Sequence, residues 1–245
     1  MTGMIYVGID DTDTLETRGT NQLARALVRR LGIRAAESAV VRHQLLIDPR
    51  VPYTSHNGSA SILLNGERSE SVAGLRELLV DLRGGVRSWF VEGSDPGLCV
   101  ASSVPDEIVE FGRRCQRQIV EQAEARDLAA RHGINLEGLG GTEQGVIGAL
   151  AAVGLAASGD DGRVVHLASW PWPDDLSGPQ DVSIVYARGI QEIRCMETGV
   201  IVEHGIVDVG KRLRPNRRRG RIVLYVSPAP ASWPAPPYWH AVRLN

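Results

Sequence analysis

The sequence predicts an α/β N-terminal region joined to a smaller α+β region. Three observations carry this. An apolar run at residues 5–9 ends in a polar turn, as a buried strand does. Stripes of apolar residues at helical spacing alternate with further short apolar runs up to about residue 155. Beyond that point helical patterns thin out and short strand-like runs dominate, which favours an antiparallel sheet. At 245 residues, 43% hydrophobic and 23% charged, the chain can bury a sizeable core as one large or two small domains.

The first strand runs into Asp10-Asp11-Thr12-Asp13. Three carboxylates within four positions repel one another unless something positive sits between them. A hard cation such as Mg2+ takes oxygen ligands and is commonly held by one or two carboxylates plus substrate phosphates. Thr12, Thr14, Thr17 and Thr20 add hydroxyls, Thr20 can cap the helix that follows, and a helix N-terminus favours anions. In an open α/β sheet the C-terminal ends of strands are where ligands bind. The same residues also fit an acidic turn and cap with no ligand, and the turn alone leaves both readings open.

The elements follow in order. Residues 21–31 form a helix ended by Gly32, and 39–46 a strand. Residues 48–53 contain two prolines that stiffen a turn, 54–59 are a polar loop and 60–64 a strand. Residues 72–82 are helical and stopped by Gly84-Gly85; 95–101 are a turn and a strand. One long helix is expected from Pro105 to about Arg131, with its charges as a solvated face. Gly138-Leu139-Gly140-Gly141-Thr142-Glu143-Gln144-Gly145 reads either as a loop whose backbone cradles phosphate, through Gly141 and Gly145, or as a linker before a tightly packed helix of small residues. Strands are expected at 164–168, 183–187, 199–203 and 222–226. Between the last two lies a run from Lys211 to Arg221, rich in Arg212, Arg214, Arg217, Arg218 and Arg219, which suits a nucleic-acid contact or a solvated hairpin. The tail at 227–237, rich in Pro and Ala, is expected to lie extended on the surface.

Several classes are excluded or disfavoured. A net charge of −2 argues against binding nucleic acid by bulk charge. There is no G-x-x-x-x-G-K-[ST] phosphate loop, and Lys211 is the only lysine. Cys99, Cys115 and Cys195 are too scattered for a structural zinc site and suit a reducing compartment. No signal peptide or membrane span is visible, so a cytoplasmic protein with no membrane partner is expected.

Four stretches together resemble one family. Gly8-Ile9-Asp10-Asp11-Thr12-Asp13 with Gly19-Thr20 is similar to the G-I-D-D-T-D and C-T-T opening of the archaeal 2-agmatinylcytidine synthetases. Val51-Pro52-Tyr53 with Gly58, Asp95-Pro96-Gly97-Leu98, and residues 145–154 resemble three later motifs in the same order. The resemblance implies a kinase-like domain at 1–135 and a ferredoxin-like domain at 136–245. It implies ATP and Mg2+ as cofactors, and activation of a cytidine carbonyl oxygen by phosphoryl transfer for attack by an amine. It places Asp10, Asp11 and Asp13 on the metal, with Asp11, Asp13 and Thr20 in the chemistry. Asp10, Thr12, Arg18, His56, Gly58, Gly141 and Gly145 are then expected near the nucleotide.

Departures accompany the match. Gly19 stands where the family has cysteine and Asn21 where it has a second threonine. Residues 54–59 lose two cations of the family loop, for which Arg18, Arg42 and His56 are the candidate replacements. The family's OB-fold and zinc ribbon, which grip tRNA, are not expected within these 245 residues. ATP chemistry is therefore better supported than a tRNA substrate. A small-metabolite enzyme with an amine co-substrate, or a non-catalytic nucleotide-binding module, remains open.

Overall fold

The computed structural model of the chain describes residues 3–31, 38–51, 56–65, 72–171, 176–229 and 238–244. The architecture is mixed α/β: twelve strands join one sheet, with helices packed on it. The strand β1 (Met4–Asp10) lies between β3 (Gly58–Asn65) and β4 (Gly97–Ala101), and β2 (Ala39–Gln44) flanks β3. These pairings are antiparallel, as is that of β4 with β5 (Asn135–Gly138). The acidic turn thus leaves the C-terminal end of β1 between two antiparallel neighbours.

Alternation along the strands sends side chains to two faces. On one face Ile5, Val7, Ile9, Ala60, Ile62 and Val165 pack against α1 (Thr20–Arg30) and α2 (Val72–Arg87). On the other, Cys99 and Ala101 pack against α3 (Asp106–Cys115), α4 (Gln122–Arg131) and α5 (Gly145–Ser158). The sheet continues from β2 through β6 (Arg163–Leu167) to a hairpin of β10 (Asn216–Arg218) and β11 (Arg221–Pro228). Beyond β11 come β12 (Tyr238–Ala241), β9 (Ile206–Asp208) and β7 (Pro179–Asp181), with β8 (Glu192–Cys195) parallel to β11. A third cluster, including Val185, Ile193, Leu224 and Val226, fills one side of this half.

Four elements differ from expectation. The single helix from 105 to 131 is two helices, because the Cys115 carbonyl accepts from Leu46 N (3.0 Å) instead of from the next helical turn. The Gln116 side chain fixes the break by donating to the Gln44 carbonyl (3.1 Å). Helix α2 does not stop at Gly84-Gly85; a Cβ at Gly85 would sit 2.2 Å from Leu27, so glycine there lets α1 and α2 approach. Residues 183–187 are not a strand but lie in helix α6 (Val182–Ala187), capped by Asp181, whose Oδ1 accepts from Ser183 N (2.8 Å) and Oγ (2.6 Å). Residues 199–203 contribute only an isolated bridge between Ile201 and Arg194. The expected helix stop at Gly32, the Pro52-Tyr53 turn, loop residues Thr54 and Ser55, and most of the 227–237 tail lie outside the described residues. No described helix is long and apolar enough to cross a membrane.

Candidate nucleotide site

A cavity of about 510 Å3 opens where β1 ends and α1 begins. Asp10, Asp11 and Asp13 line it, with Gly19, Thr20 and Asn21 from the start of α1. Arg25, Arg42, Arg163, Arg214 and Arg243 also line it, with His56, Asn57 and Gly58. The lining is therefore of both signs, with three carboxylates from one turn and five arginines from five separate stretches of chain.

The acidic turn is strained and electrostatically unbalanced. Asp11 has φ of 51°, in the left-handed region that few residues other than glycine adopt. Burial, then the neighbouring charge of Asp11, pushes the Asp10 carboxyl up to about 8; Asp13 adds to it, against a lowering by the Asp11 backbone N–H. Burial, then Asp95 and Asp13, pushes Asp11 up to about 6. Both shifts oppose charging of carboxyls that a cation would stabilise. Among the described residues no three His, Cys, Asp or Glu side chains converge as a metal-binding group. An ion held by one or two carboxylates and by phosphate oxygens needs no such cage, and the hard oxygen donors here fit Mg2+.

Thr20 is not the cap of α1. Gly19 occupies the N-cap position, with no side-chain cap bond, and Thr20 is the first helical residue. Its hydroxyl donates to Asp13 Oδ1 (3.0 Å) and accepts from the buried Thr12 hydroxyl (3.1 Å). Thr12, which does not line the cavity, thereby holds Thr20, and Thr20 orients Asp13.

The arginines are crowded. Arg42 donates to Gln44 Oε1 (2.9 Å), and burial lowers its pKa. Arg163 donates to the Leu244 carbonyl (2.7 Å); burial, then the charges of Arg42 and Arg243, lower its pKa. Gathered like charges of this kind are relieved by an anion. Gly58 makes room for them, since a Cβ there would stand 3.0 Å from Arg42 Nη2.

Other expected site residues sit elsewhere. Arg18 stacks its guanidinium over Trp89, 5.5 Å from the ring centroid, and does not line the cavity. Gly141 and Gly145 do not line it either. A Cβ on Gly141 would meet Asp95 Oδ1 at 1.9 Å, and one on Gly145 would meet the Asp95 carbonyl at 2.3 Å. The Thr142 backbone N–H and its hydroxyl (2.8 Å) both donate to the Asp95 carboxylate. The glycine stretch is thus packed on the turn that precedes β4. Its helix supports the site indirectly: a Cβ on Gly148 would lie 1.7 Å from Asp10 Oδ2, so only glycine lets α5 pass beneath that carboxyl.

Sequence reasoning missed Arg25, Arg163 and Arg243. Arg25 lay in plain view as a polar position on α1, but nothing local points Arg163 or Arg243 at the turn. They arrive through the pairing of β2 with β6 and the return of the C-terminal segment.

No protein-family model matches the chain. It is 28% identical over 191 residues to an isoleucine-tRNA 2-agmatinylcytidine synthetase of Cenarchaeum symbiosum, covering 76% of this chain and 41% of that one. The enzyme of the same name from Thermococcus sibiricus is 24% identical over 153 residues, 61% of this chain and 35% of that one. Among solved structures, a TiaS complex with an isoleucine tRNA and ATP superposes with a TM-score of 0.52 at 23% identity, over 62% of this chain and 36% of that one. A tRNA fluorescent labeling enzyme gives a TM-score of 0.52 at 25% identity, over 62% and 36%. The chain spans about two fifths of the length of the curated relatives it matches. Over that span, it is similar to the isoleucine-tRNA 2-agmatinylcytidine synthetases.

Proposed function

We propose that this chain is the ATP-using part of an enzyme that activates a carbonyl oxygen by phosphoryl transfer and lets an amine displace the phosphate. By analogy with the relatives, the acceptor is the cytidine of an isoleucine tRNA and the amine is agmatine. The observation that carries this reading is one cavity lined by Asp10, Asp11 and Asp13 together with five arginines. A triphosphate with its metal likewise brings both signs of charge to one place.

The roles follow from position. Asp10 and Asp11 would hold Mg2+, with Asp13 oriented by Thr20. Bound there, Mg2+ would neutralise phosphate charge during transfer. Arg42, Arg163 and Arg243 would bind phosphate oxygens, and the open N-terminus of α1 at Thr20 and Asn21 would add backbone donors. Phosphoryl transfer asks mainly for positioning and charge neutralisation, which this cavity supplies. Residues 1–135 form the proposed ATP-binding unit and 136–245 the proposed ferredoxin-like unit, with α5 of the second packed under the acidic turn. Cytoplasmic location belongs to the same proposal.

Gly19 and Asn21, in place of the cysteine and second threonine of the related enzymes, favour a second reading. In it the cavity binds nucleotide without turning it over. Calorimetry of ATP with and without Mg2+ tests the shared part: binding is expected only with the metal. Equal affinity after chelation would remove the metal from the site. ATP turnover with isoleucine tRNA and agmatine present then separates the enzyme from the silent binder.

A further inference from the structure

The sheet face that α1 and α2 cover over β1 to β4 continues past β2 with no described helix on it. Paired residues share a face, so the register traces it. Arg42 pairs with Arg163, Arg163 with Asn216, and Asn216 with Val223. Val223 and Tyr225 pair with Glu192 and Arg194 on β8, and Arg218 pairs with Arg221 across the hairpin. The alternate residues Leu224, Val226, Ile193 and Cys195 point the other way, into the third core cluster. The nucleotide cavity thus stands at the border between a helix-covered half of the face and a helix-free half.

That free half carries a second cavity of about 420 Å3, separate in its lining from the first. Arg194, Arg218, Arg219 and Arg221 surround it against only two carboxylates, Asp160 and Glu192. Glu192 is committed, bridging Arg194 and Arg221 (3.1 Å to the latter), and Asp160 Oδ1 accepts from the Arg219 backbone N–H (3.0 Å). The half-buried Tyr225 forms part of its lining. The turn itself is built to project these cations, with Arg219 and Gly220 at φ of 50° and 73°. Arg214, from the same basic run, instead reaches the first cavity, so one continuous run spans both.

We infer that this helix-free face is a docking surface for the sugar-phosphate backbone of a single-stranded polynucleotide, with Arg218, Arg219 and Arg221 on phosphates and Tyr225 as a stacking platform for a base. An arginine-rich sheet face with an aromatic ring suits a strand whose bases are splayed out. A bulk charge of −2 leaves such binding to a local patch, and this is where the patch lies. The inference shares its polynucleotide with the proposed function but stands on different residues from the nucleotide cavity.

The test is fluorescence anisotropy of a labelled single-stranded RNA oligonucleotide on the full chain, across a salt titration, with no nucleotide added. Wild type is expected to bind and to weaken steeply with salt. The double variant Arg218→Gln with Arg219→Gln should lose about tenfold or more in affinity at low salt, and flatten the log–log salt slope by about 0.7 per phosphate contact removed. Tyr225→Leu should lose about fivefold or more with the slope unchanged. If the double variant fails to fold, judged by its melting curve, Tyr225→Leu carries the test alone. A wild type that binds no RNA at the lowest salt overturns the inference, as do variants with wild-type affinity and slope. Displacement of the RNA by polyglutamate at equal charge concentration would reassign the face to an acidic protein partner. Wild type that binds Mg-ATP but not RNA sinks this inference alone; RNA binding without Mg-ATP binding sinks the ATP reading alone.

Discussion

Two stretches of this chain look like phosphate loops, and they have different fates. The acidic turn at Asp10 to Asp13 lines the main cavity, while the glycine stretch at Gly138 to Gly145 packs against Asp95 and the end of β4. Glycine density lets a backbone approach something closely, but it does not say what. Here the close neighbour is protein: Asp95 takes the Thr142 N–H that an anion would otherwise need. Clustered like charges are more informative, because the fold has no way to bury three carboxylates cheaply. The raised pKa values of Asp10 and Asp11 mark a place that needs a counter-charge.

This contrast is easiest to break at its functional end. Asp11→Asn removes a charge facing the cavity and should weaken Mg-ATP binding about a hundredfold, ~2.7 kcal/mol. Thr142→Ala in the glycine stretch should leave Mg-ATP affinity within about twofold. Calorimetry on both proteins decides the matter, and equal losses would restore the glycine stretch to the binding site. Next in size is a structural effect. Gly145→Ala places a methyl group 2.3 Å from the Asp95 carbonyl and 2.6 Å from Gly97 N. Overpacking against backbone should cost about 1–3 kcal/mol in a urea melt. A protein as stable as wild type would mean that α5 can shift, and that the close packing is not obligatory.

Much of the N-terminal half was legible because its signals are local. The apolar run into Asp10 and the stripe of Leu23, Ala24, Leu27 and Val28 stand where sequence put them, and the small-residue helix expected over 146–154 runs on to Ser158. The misreadings arose where a distant contact overrode a local pattern. No proline or glycine marks the break after Cys115; Leu46 makes it by taking a carbonyl from another element. The β-branched residues of 183–187 suggested a strand, yet the Asp181 cap and the spacing of buried Val182 and Val185 form a helix. The same limit hid the cationic half of the site. The three aspartates are neighbours in sequence and Arg25 lies on the helix that follows them, whereas Arg42, Arg163, Arg214 and Arg243 come from distant stretches of the chain.

The charge imbalance also predicts how the ligand-free protein responds to pH. Burial raises the Asp10 pKa to about 8 in the folded protein, against the ordinary carboxylate value of 3.8 in the unfolded chain. Between those values the folded state holds a proton that the unfolded state has released, so stability falls as pH rises through that window. Asp10→Asn cannot titrate and should flatten that slope. Each pKa unit of the gap is worth about 1.4 kcal/mol. The variant should therefore gain at least about 2–4 °C in Tm over wild type at pH 8, with little gain near pH 4. Melting curves of the ligand-free proteins across this range provide the check. Parallel pH profiles would show that the carboxyl is already balanced within the protein.

The smallest effect concerns Thr20, whose hydroxyl connects the buried Thr12 to Asp13. Because Gly19 is the N-cap, loss of that hydroxyl does not uncap α1. Thr20→Ala removes one hydrogen bond to a carboxylate and leaves the Thr12 hydroxyl without its acceptor. That should cost about 0.5–1.5 kcal/mol of stability, with Ser restoring most of it. The consequence for ligand binding differs from that at Asp11. Asp13 keeps its charge but loses its orientation, so Mg-ATP affinity should fall modestly, about threefold to tenfold, while turnover falls further. Measuring melting temperature, Mg-ATP affinity and turnover on the same Ala and Ser variants separates the possibilities. If turnover and affinity fall together and by the same factor, Thr20 acts only through ground-state binding. If only the melting temperature moves, Thr20 is structural, and the chemistry rests with the carboxylates and arginines alone.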